Sequence, residues 1–168
     1  WNAYDFVDFL ASCKQHYWQI LPLTTTSYGD SPYQSFSARA GNPNFIDFAE
    51  LIEAGYLEQR DIDGVYLGSD PNNVDYGAIF GGRRQILDRA AERFAADKPA
   101  DFDDFVQANE DWLIPYCEFM TVKEECGLKA FWEWPAELRT RGEASAKVCA
   151  AHPARMLYHQ MTQYFFNR

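Results

Sequence analysis

Residues 17–48 read YWQILPLTTTSYGDSPYQSFSARAGNPNFIDF, and this stretch decides how the rest of the chain is interpreted. It passes from a short apolar segment into about twenty residues with neither helical nor strand periodicity. Loops of that length inside a compact domain are usually functional or disordered. Disordered segments are poor in aromatic residues, whereas this loop contains Tyr28, Tyr33 and Phe36. The sequence therefore predicts an ordered, functional surface loop.

The side chains of this loop suit a neutral ligand that carries many hydroxyl groups. Its polar groups can donate and accept hydrogen bonds in many directions. They belong to Thr24, Thr25, Thr26, Ser27, Asp30, Ser31, Gln34, Ser35, Ser37 and Asn42. Tyr28 and Tyr33 flank a Gly-Asp-Ser-Pro turn, a setting that presents side chains outward. Aromatic faces among hydroxyls and amides predict a sugar-binding loop.

Composition predicts one folded domain and a neutral partner. The chain has 168 residues, of which 47% are hydrophobic and 17% aromatic, enough for a substantial core. Its formal net charge of -10 argues against nucleic acid and anionic membranes as partners, because both attract basic surfaces. The apolar run at residues 17–23 is far shorter than the roughly 20 residues that a membrane helix needs.

The four cysteines predict a reducing compartment. Cys13, Cys117, Cys126 and Cys149 are widely spaced, form no CxxC motif and have no histidine at ligand spacing. This pattern is typical of reduced thiols in a cytoplasmic protein. We expect neither a metal site nor a cofactor.

The beginning of the chain resembles part of an α/β barrel. Residues 3–13 carry apolar side chains at helical spacing, and residues 17–21 are apolar on both faces, as in a strand of a parallel, doubly covered sheet. Pro22 would end that strand. Helix, buried strand and long loop form half a repeat of such a barrel. Because one strand cannot form a sheet, we expect the chain, which runs from Trp1 to Arg168 without clear stop signals, to be part of a longer protein.

The remainder predicts a mostly helical region. Asp47 can cap a helix that ends near Gly55, and residues 61–73 look irregular. Helical spacing then covers residues 75–96, 101–109 and 112–126, followed by a proline-broken turn at 132–141 and a helix from Pro153. The predicted units are an early barrel segment at 1–46, a helical insertion at 47–141 and a helical return at 142–168.

Other candidate groups favour structural roles. Acidic pairs such as Glu124 and Glu125, or Asp61 and Asp63, are most simply a solvated face, and Asp101 a helix cap. His16, His152 and His159 have no adjacent nucleophile motif. Gly81, Gly82, Arg83 and Arg84 lie inside a helical pattern, where an exposed basic pair is a better interpretation than a phosphate turn. Packing is favoured for Trp132 and Trp134.

Several separate blocks resemble one enzyme family. WQILPL followed by SYGDSPYQSFSARAGNP is similar to the 4-α-glucanotransferases, the amylomaltase or disproportionating-enzyme family. The blocks AYDFVDFLASCKQHY, GNPNFIDFAELIEAGYL, VDYGAIF, WLIPYCEFMTVKEECG and WEWPAELRTR agree in the same order. The resemblance implies an α/β fold in which the chain is a fragment of a (β/α)8 barrel with a large, mostly helical insertion, the fragment itself being mainly α.

The same resemblance implies a retaining transfer of α-1,4-glucan segments to a sugar acceptor. It implies that Tyr33 stacks beside the sugar being cleaved and that Tyr28 belongs to a glucan-binding surface. Asp30, Ser31, Gln34 and Asn42 would shape the loop or contact sugar hydroxyls. The family's catalytic carboxylate motifs are absent from this sequence, so we expect no catalytic residue in this chain and maltooligosaccharides or other α-1,4-glucans as partners.

Two alternatives stay open from the sequence. The same loop without a visible acid and nucleophile would also suit a non-catalytic α-glucan-binding module. A helical interaction domain whose loop only packs is the third possibility. The sequence gives no indication of oligomeric state.

Overall fold

A computed structural model of the chain describes residues 2–70 and 72–168, the side chains of Asn2 and Tyr28 excepted. Nearly all regular structure in this part of the chain is helical. The α-helices are α1 (Asn2–Ser12), α2 (Phe48–Glu53), α3 (Gln59–Ile62), α4 (Tyr76–Ala96), α5 (Phe102–Ala108), α6 (Glu110–Glu125), α7 (Glu143–Ala151) and α8 (Pro153–Phe166). Short 3-10 turns lie at Tyr28–Asp30, Pro43–Phe45, Phe131–Glu133 and Ala136–Leu138. In the described residues, no helix is long and apolar enough to cross a membrane.

The helix starts follow local signals. The Asp47 side chain accepts a hydrogen bond from the backbone N–H of Ala49 at the start of α2, and Gly55 follows the helix with φ +82°, a conformation that favours glycine. Asp75 caps α4 in the same way through the N–H of Ala78. Pro153 opens α8, where its missing N–H costs nothing. These predicted starts are confirmed.

The core lies where α8 packs against α4 and α6. One face of α4 supplies Ile86, Leu87, Ala90 and Phe94 at spacings of three and four residues, all buried. Phe94 packs edge-on against Phe102 of α5, with ring centroids 4.8 Å apart. Burying a side chain of this size contributes about 1.5–3 kcal/mol relative to leaving it in water. Tyr158, Met161, Tyr164 and Phe165 line the facing side of α8.

The strand predicted at residues 17–21 does not form, which corrects that prediction. Tyr17 is 95% exposed, and Ile20 and Leu21 are also exposed. A strand needs hydrogen-bonded neighbours, and the described residues offer one isolated antiparallel bridge, between Thr24 and Gly41. The apolar pattern therefore indicates a segment that is suited to strand pairing. The described residues contain no partner strand for it.

Two short helices, α3 and α7, were not predicted from the sequence. Helix α7 follows Gly142, and its first turn is closed by Ser145, whose hydroxyl accepts from the Gly142 N–H and donates to the Gly142 carbonyl. Helix α3 overlaps the first two residues of the segment predicted to be irregular, and its start is held by the Asp61 carboxylate, which accepts from the Glu58 N–H. Both depend on local side-chain caps rather than on an apolar stripe, which is why periodicity misses them.

The loop is fastened to the core through one buried amide. The Gln163 side chain on α8 accepts a hydrogen bond from the Gly41 N–H at 2.7 Å and donates one to the Gly41 carbonyl at 3.0 Å. A Cβ at position 41 would lie 2.0 Å from the Phe166 ring, so only glycine allows this approach. We call this contact the Gln163–Gly41 clamp.

Adjacent glycines in α4 should respond in opposite ways to alanine. A Cβ at Gly82 would lie 2.6 Å from Leu67 Cδ2 and 2.7 Å from the Tyr66 carbonyl oxygen, whereas nothing lies within 4 Å of a Cβ at Gly81. We expect Gly82→Ala to lower the free energy of unfolding by about 1–3 kcal/mol. Gly81→Ala should raise it by about 0.5–1 kcal/mol because alanine favours the helix.

Urea denaturation of both variants beside wild type measures this difference. Each variant serves as the matched control for the other, since the substitution is the same and the positions are neighbours. Shifts of the same sign would contradict the close packing of residues 65–67 on α4.

Candidate functional site

A cavity of about 830 Å³ lies between the loop and the helical core. Volumes of this order are typical of sites that enclose a small ligand. The loop supplies Thr25, Thr26, Ser27, Asp30, Gln34, Phe36, Asn42, Pro43 and Asn44. The opposite side comes from Phe80, Arg84, Leu87, Tyr116, Met120, Lys123, Glu124, Leu128, Ala130, Trp132, Glu133, Tyr158 and His159.

The loop holds its shape through hydrogen bonds within itself. Beside the bridge, the Thr25 N–H donates to the Ala40 carbonyl at 3.2 Å, and the Asn42 N–H donates to the Leu23 carbonyl at 2.9 Å. The Thr25 and Ser35 hydroxyls lie 3.1 Å apart within hydrogen-bonding distance. These contacts satisfy buried polar groups without any regular element, which explains the lack of periodicity in the sequence.

Three of the predicted binding residues line the cavity. Asp30, Gln34 and Asn42 all belong to its wall. Asn42 is buried, and its side-chain oxygen accepts from the Asn44 N–H at 3.0 Å, so this residue also shapes the turn at Pro43–Phe45. Asp30 has φ +54°, which turns the chain sharply beside the cavity.

The other predicted residues stand elsewhere in the loop. The Ser31 hydroxyl accepts from the Tyr33 N–H at 3.3 Å and so acts within the loop. The Tyr33 side chain is 75% exposed and lies outside the cavity lining. The Tyr28 side chain lies outside the described residues. The structure thus gathers half of the predicted set around one cavity.

A charged cluster forms the floor of the cavity, at residues that the sequence placed on a solvated face. Glu124 of α6 is only 12% exposed. Arg155 of α8 contacts both of its carboxylate oxygens, at 2.6 and 3.0 Å, and Arg84 of α4 lies 3.0 Å away. Burial alone would raise the pKa of Glu124, but its contacts with His159 and Arg155 outweigh burial and lower the pKa to about 2. Glu124 is therefore a fixed anion.

The arginine pair of α4 is not simply exposed, which corrects the sequence interpretation. The Arg83 guanidinium stacks on the Phe48 ring, 3.9 Å from its centroid, and donates to the Ile46 carbonyl. Arg84 joins the charged floor through Glu124. Both side chains therefore connect α4 to neighbouring segments instead of pointing into water.

Of the three histidines, only His159 reaches the cavity. It is buried, and burial lowers its pKa although the nearby Glu124 opposes this. Its Nε2 lies 3.1 Å from a Glu124 oxygen, without the alignment of a hydrogen bond. His16 is exposed, and His152 pairs with Glu125 at 3.1 Å near the surface. A structural role for His159 and surface positions for His16 and His152 thus describe the three histidines.

The sequence missed the second wall of the cavity. Trp134 is 3% exposed and packs on Phe119 at 5.2 Å, which confirms the packing interpretation for this residue. Trp132 is 74% exposed and lines the cavity, so packing is wrong for it. The two tryptophans carry the same local signal, and only the three-dimensional turn that separates them tells them apart.

The cavity offers groups that can bind a polar ligand. Hydroxyl, amide and aromatic groups line it together with charged and aliphatic side chains, and Glu124 cannot supply a proton near neutral pH because its contacts with His159 and Arg155 hold its pKa low. In the described residues, no group of histidine, cysteine and acidic side chains could hold a metal ion. The arrangement suits a neutral, hydroxyl-rich ligand.

Comparison with known proteins gives the family. Residues 2–168 match the family model described as 4-alpha-glucanotransferase. The chain belongs to the 4-alpha-glucanotransferase family. A 4-alpha-glucanotransferase from Streptococcus pneumoniae is 49% identical over 98% of the chain, and one from Thermus thermophilus is 37% identical over 99%. The family predicted from the sequence blocks is therefore confirmed.

A solved structure in this family supports the same assignment. An amylomaltase from Streptococcus agalactiae in complex with acarbose has a TM-score of 0.88 to this chain at 45% identity, covering 98% of it. The chain spans 34% of that amylomaltase and 33% of each of the two glucanotransferases. It thus corresponds to about a third of a 4-alpha-glucanotransferase of that length.

Glu124→Gln should make the fold less sensitive to acid. The pKa of Glu124 is lowered from 4.5 to about 2, so its ionised form contributes stability above pH 4.5 that is lost as the pH falls towards 2. We expect the variant to lose roughly 1–3 kcal/mol at neutral pH and to show a shallower fall in unfolding free energy across that window.

Urea denaturation at a series of pH values measures both effects. Glu125→Gln removes a charge from the next, exposed residue of the same helix and is the matched control. A pH profile of Glu124→Gln parallel to that of wild type would contradict the charged floor as described.

Proposed function

We propose that the protein to which this chain belongs is a 4-α-glucanotransferase that moves α-1,4-glucan segments to a sugar acceptor by a retaining double displacement. The observation that carries the proposal is the cavity, in which a hydroxyl- and amide-rich loop faces a wall that includes Phe80, Tyr116 and Trp132. This chemistry suits an uncharged sugar, and the net charge of -10 gives no attraction for an anionic partner. Relatives named 4-alpha-glucanotransferase, and an amylomaltase with bound acarbose, support the choice of α-glucans.

In this proposal the chain supplies substrate-binding surface and not the catalytic carboxylates. Glu124, whose pKa is held low by its contacts with His159 and Arg155, does not suit a general acid. The nucleophile and the acid would lie in another part of the protein. A non-catalytic glucan-binding module is the second candidate, favoured by the sugar-binding character of the loop and by the absence of the family's catalytic motifs from this sequence.

The fold proposal follows from exposed apolar surface. Helix α1 leaves Tyr4 and Phe9 exposed, and Trp18, Ile20 and Leu21 are exposed in the segment that follows it. Further strands and helices of a (β/α)8 barrel would bury these side chains and pair residues 17–21 as a strand. Residues 1–46 would then be an early barrel segment, 47–141 a helical insertion and 142–168 the return towards the barrel.

The roles of individual loop residues are those that the family resemblance implies. Tyr33 would stack on the sugar at the cleavage point, and most of its ring is free of protein packing and available for such a contact. Asp30, Gln34 and Asn42 would contact sugar hydroxyls from the cavity wall, and Ser31 would fix the turn that precedes Tyr33. Tyr28 would extend the same glucan surface. A cytoplasmic location stays a prediction, consistent with free thiols at all four cysteines.

Incubating the full-length protein with maltotriose tests the function. A transferase yields glucose together with longer maltooligosaccharides, whereas a hydrolase yields only shorter sugars. We expect Tyr33→Ala to lower kcat/KM roughly tenfold without changing Tm, because an exposed ring contributes stacking to the substrate but little to the core.

Tyr66→Ala is the matched control, since Tyr66 is also an exposed tyrosine but lies outside the predicted sugar-binding loop. Binding of maltotriose without any longer product would favour the glucan-binding module. Full activity of Tyr33→Ala would contradict the role of Tyr33, and lost stability in that variant would indicate a loop that only packs.

A further inference from the structure

Trp132 combines high exposure with a tightly fixed backbone. Its side chain is 74% exposed, although tryptophan is a residue that proteins mostly bury. Its backbone belongs to the 3-10 turn at Phe131–Glu133, where the Ala130 N–H donates to the Glu133 carboxylate at 3.1 Å. A large aromatic side chain held out into a cavity by a closed turn needs an explanation.

The turn is anchored from below by Lys123. This side chain is almost completely buried, and its ammonium donates to the carbonyls of Leu128 at 3.1 Å and Lys129 at 2.9 Å. The indole N–H of Trp134 donates to the same Lys129 carbonyl at 3.1 Å. Because charged donors form the stronger hydrogen bonds, the segment that carries Trp132 is fixed at two successive carbonyls.

The same anchor reaches the loop on the other side of the cavity. The Lys123 ammonium lies 4.8 Å from the centroid of the Phe36 ring, which belongs to the loop wall. Phe36 packs on Phe119 at 5.9 Å, and Phe119 packs on Trp134 at 5.2 Å. The loop and the Trp132 turn are thus fixed to common residues of α6, and their separation is set before any ligand arrives.

We propose that Trp132 is a sugar-stacking residue, which places its indole face against a glucose ring of an α-1,4-glucan from the wall opposite the loop. This inference rests on the proposed function and adds a contact opposite Asp30 and Gln34, which line the cavity from the loop. The face of a sugar ring carries C–H groups that pack on an aromatic face, while its hydroxyls point sideways to polar neighbours. The Glu133 carboxylate, which also lines the cavity, is such a neighbour.

An indole held in a fixed position should affect the Kd and KM for the sugar more than kcat. The turn is already ordered, so stacking loses only the side-chain freedom of Trp132. In the full-length protein we expect Trp132→Ala to raise the Kd for acarbose and the KM for maltoheptaose roughly three- to tenfold. We expect kcat to change by less than about twofold, because the stacking contact stabilises the bound substrate and the transition state equally. Trp132→Phe should restore most of the affinity because it keeps a flat ring.

Two variants control for damage to the turn and to the surface. Phe131→Ala removes the neighbouring aromatic of the same turn, which packs on Trp134 at 5.5 Å and lies outside the cavity lining. Tyr66→Ala removes an exposed ring far along the chain from the turn. Isothermal titration with acarbose, steady-state kinetics with maltoheptaose and Tm are measured for all variants.

Intrinsic fluorescence distinguishes sugar stacking from packing. If Trp132 only packs within the protein, sugar binding should not change its emission. The chain has five tryptophans, so we expect part of the emission change caused by saturating maltoheptaose to disappear in Trp132→Phe. Unchanged Kd and KM in Trp132→Ala overturn the proposal. An equal loss of affinity in Phe131→Ala also overturns it, since the intact turn and not the indole would then be responsible.

The outcome is separable from that of the proposed function. If wild type transfers glucan and Trp132→Ala binds sugar like wild type, only the stacking proposal fails. If wild type makes no transfer products, the proposed function fails, and the acarbose titrations still decide whether Trp132 contacts the sugar.

Discussion

The two hydrogen bonds between the Gln163 side chain and the backbone of Gly41 are the interaction on which the cavity depends. They lie at the point where the loop, which has no α-helix or strand, meets α8 of the core. Leaving a buried backbone donor or acceptor without a partner costs about 1–3 kcal/mol for each group, so the two hydrogen bonds stabilise this position of the loop. Gly41 also pairs with Thr24 across the base of the loop. The clamp therefore fixes the position of Gly41 on α8, next to Asn42, which lines the cavity.

Other contacts extend this fixed geometry around the cavity. Ala40, next to Gly41, is fully buried against Leu113, Tyr116 and Cys117 of α6. Below the cavity, Glu124 connects α6 to α4 through Arg84 and to α8 through Arg155. Buried ion pairs are weak as sources of net stability, because desolvation offsets much of the attraction. Their value here is geometric, since three helices meet at one carboxylate.

Much of the helical structure could be predicted from the sequence, because its signals are local. Asp47, Asp75 and Pro153 mark helix starts through groups only a few residues away. The strand at residues 17–21 failed for the opposite reason. Strand formation needs partners that are distant in sequence, and an apolar pattern shows only that a segment is suited to pairing.

The site was predictable to the extent that it lies within one continuous segment. Asp30, Gln34 and Asn42 come from the quoted loop, whereas Trp132, Lys123 and Glu124 reach the cavity from segments about 80–100 residues further along the chain. No local pattern distinguishes the exposed Trp132 from the buried Trp134, or the mostly buried Glu124 from its exposed neighbour Glu125. Those differences arise only when α4, α6 and α8 come together.

Hydrogen exchange at the Gly41 amide in the full-length protein shows whether the Gln163–Gly41 clamp fixes the loop to the core. If the clamp is part of the core, the opening free energy for exchange of this amide should be close to that of the buried amides of α8. We expect this although Gly41 lies in a loop without a helix or strand. Exchange of Gly41 as fast as that of exposed loop amides, while α8 stays protected, would contradict the account, because the loop wall would then open independently of the helices.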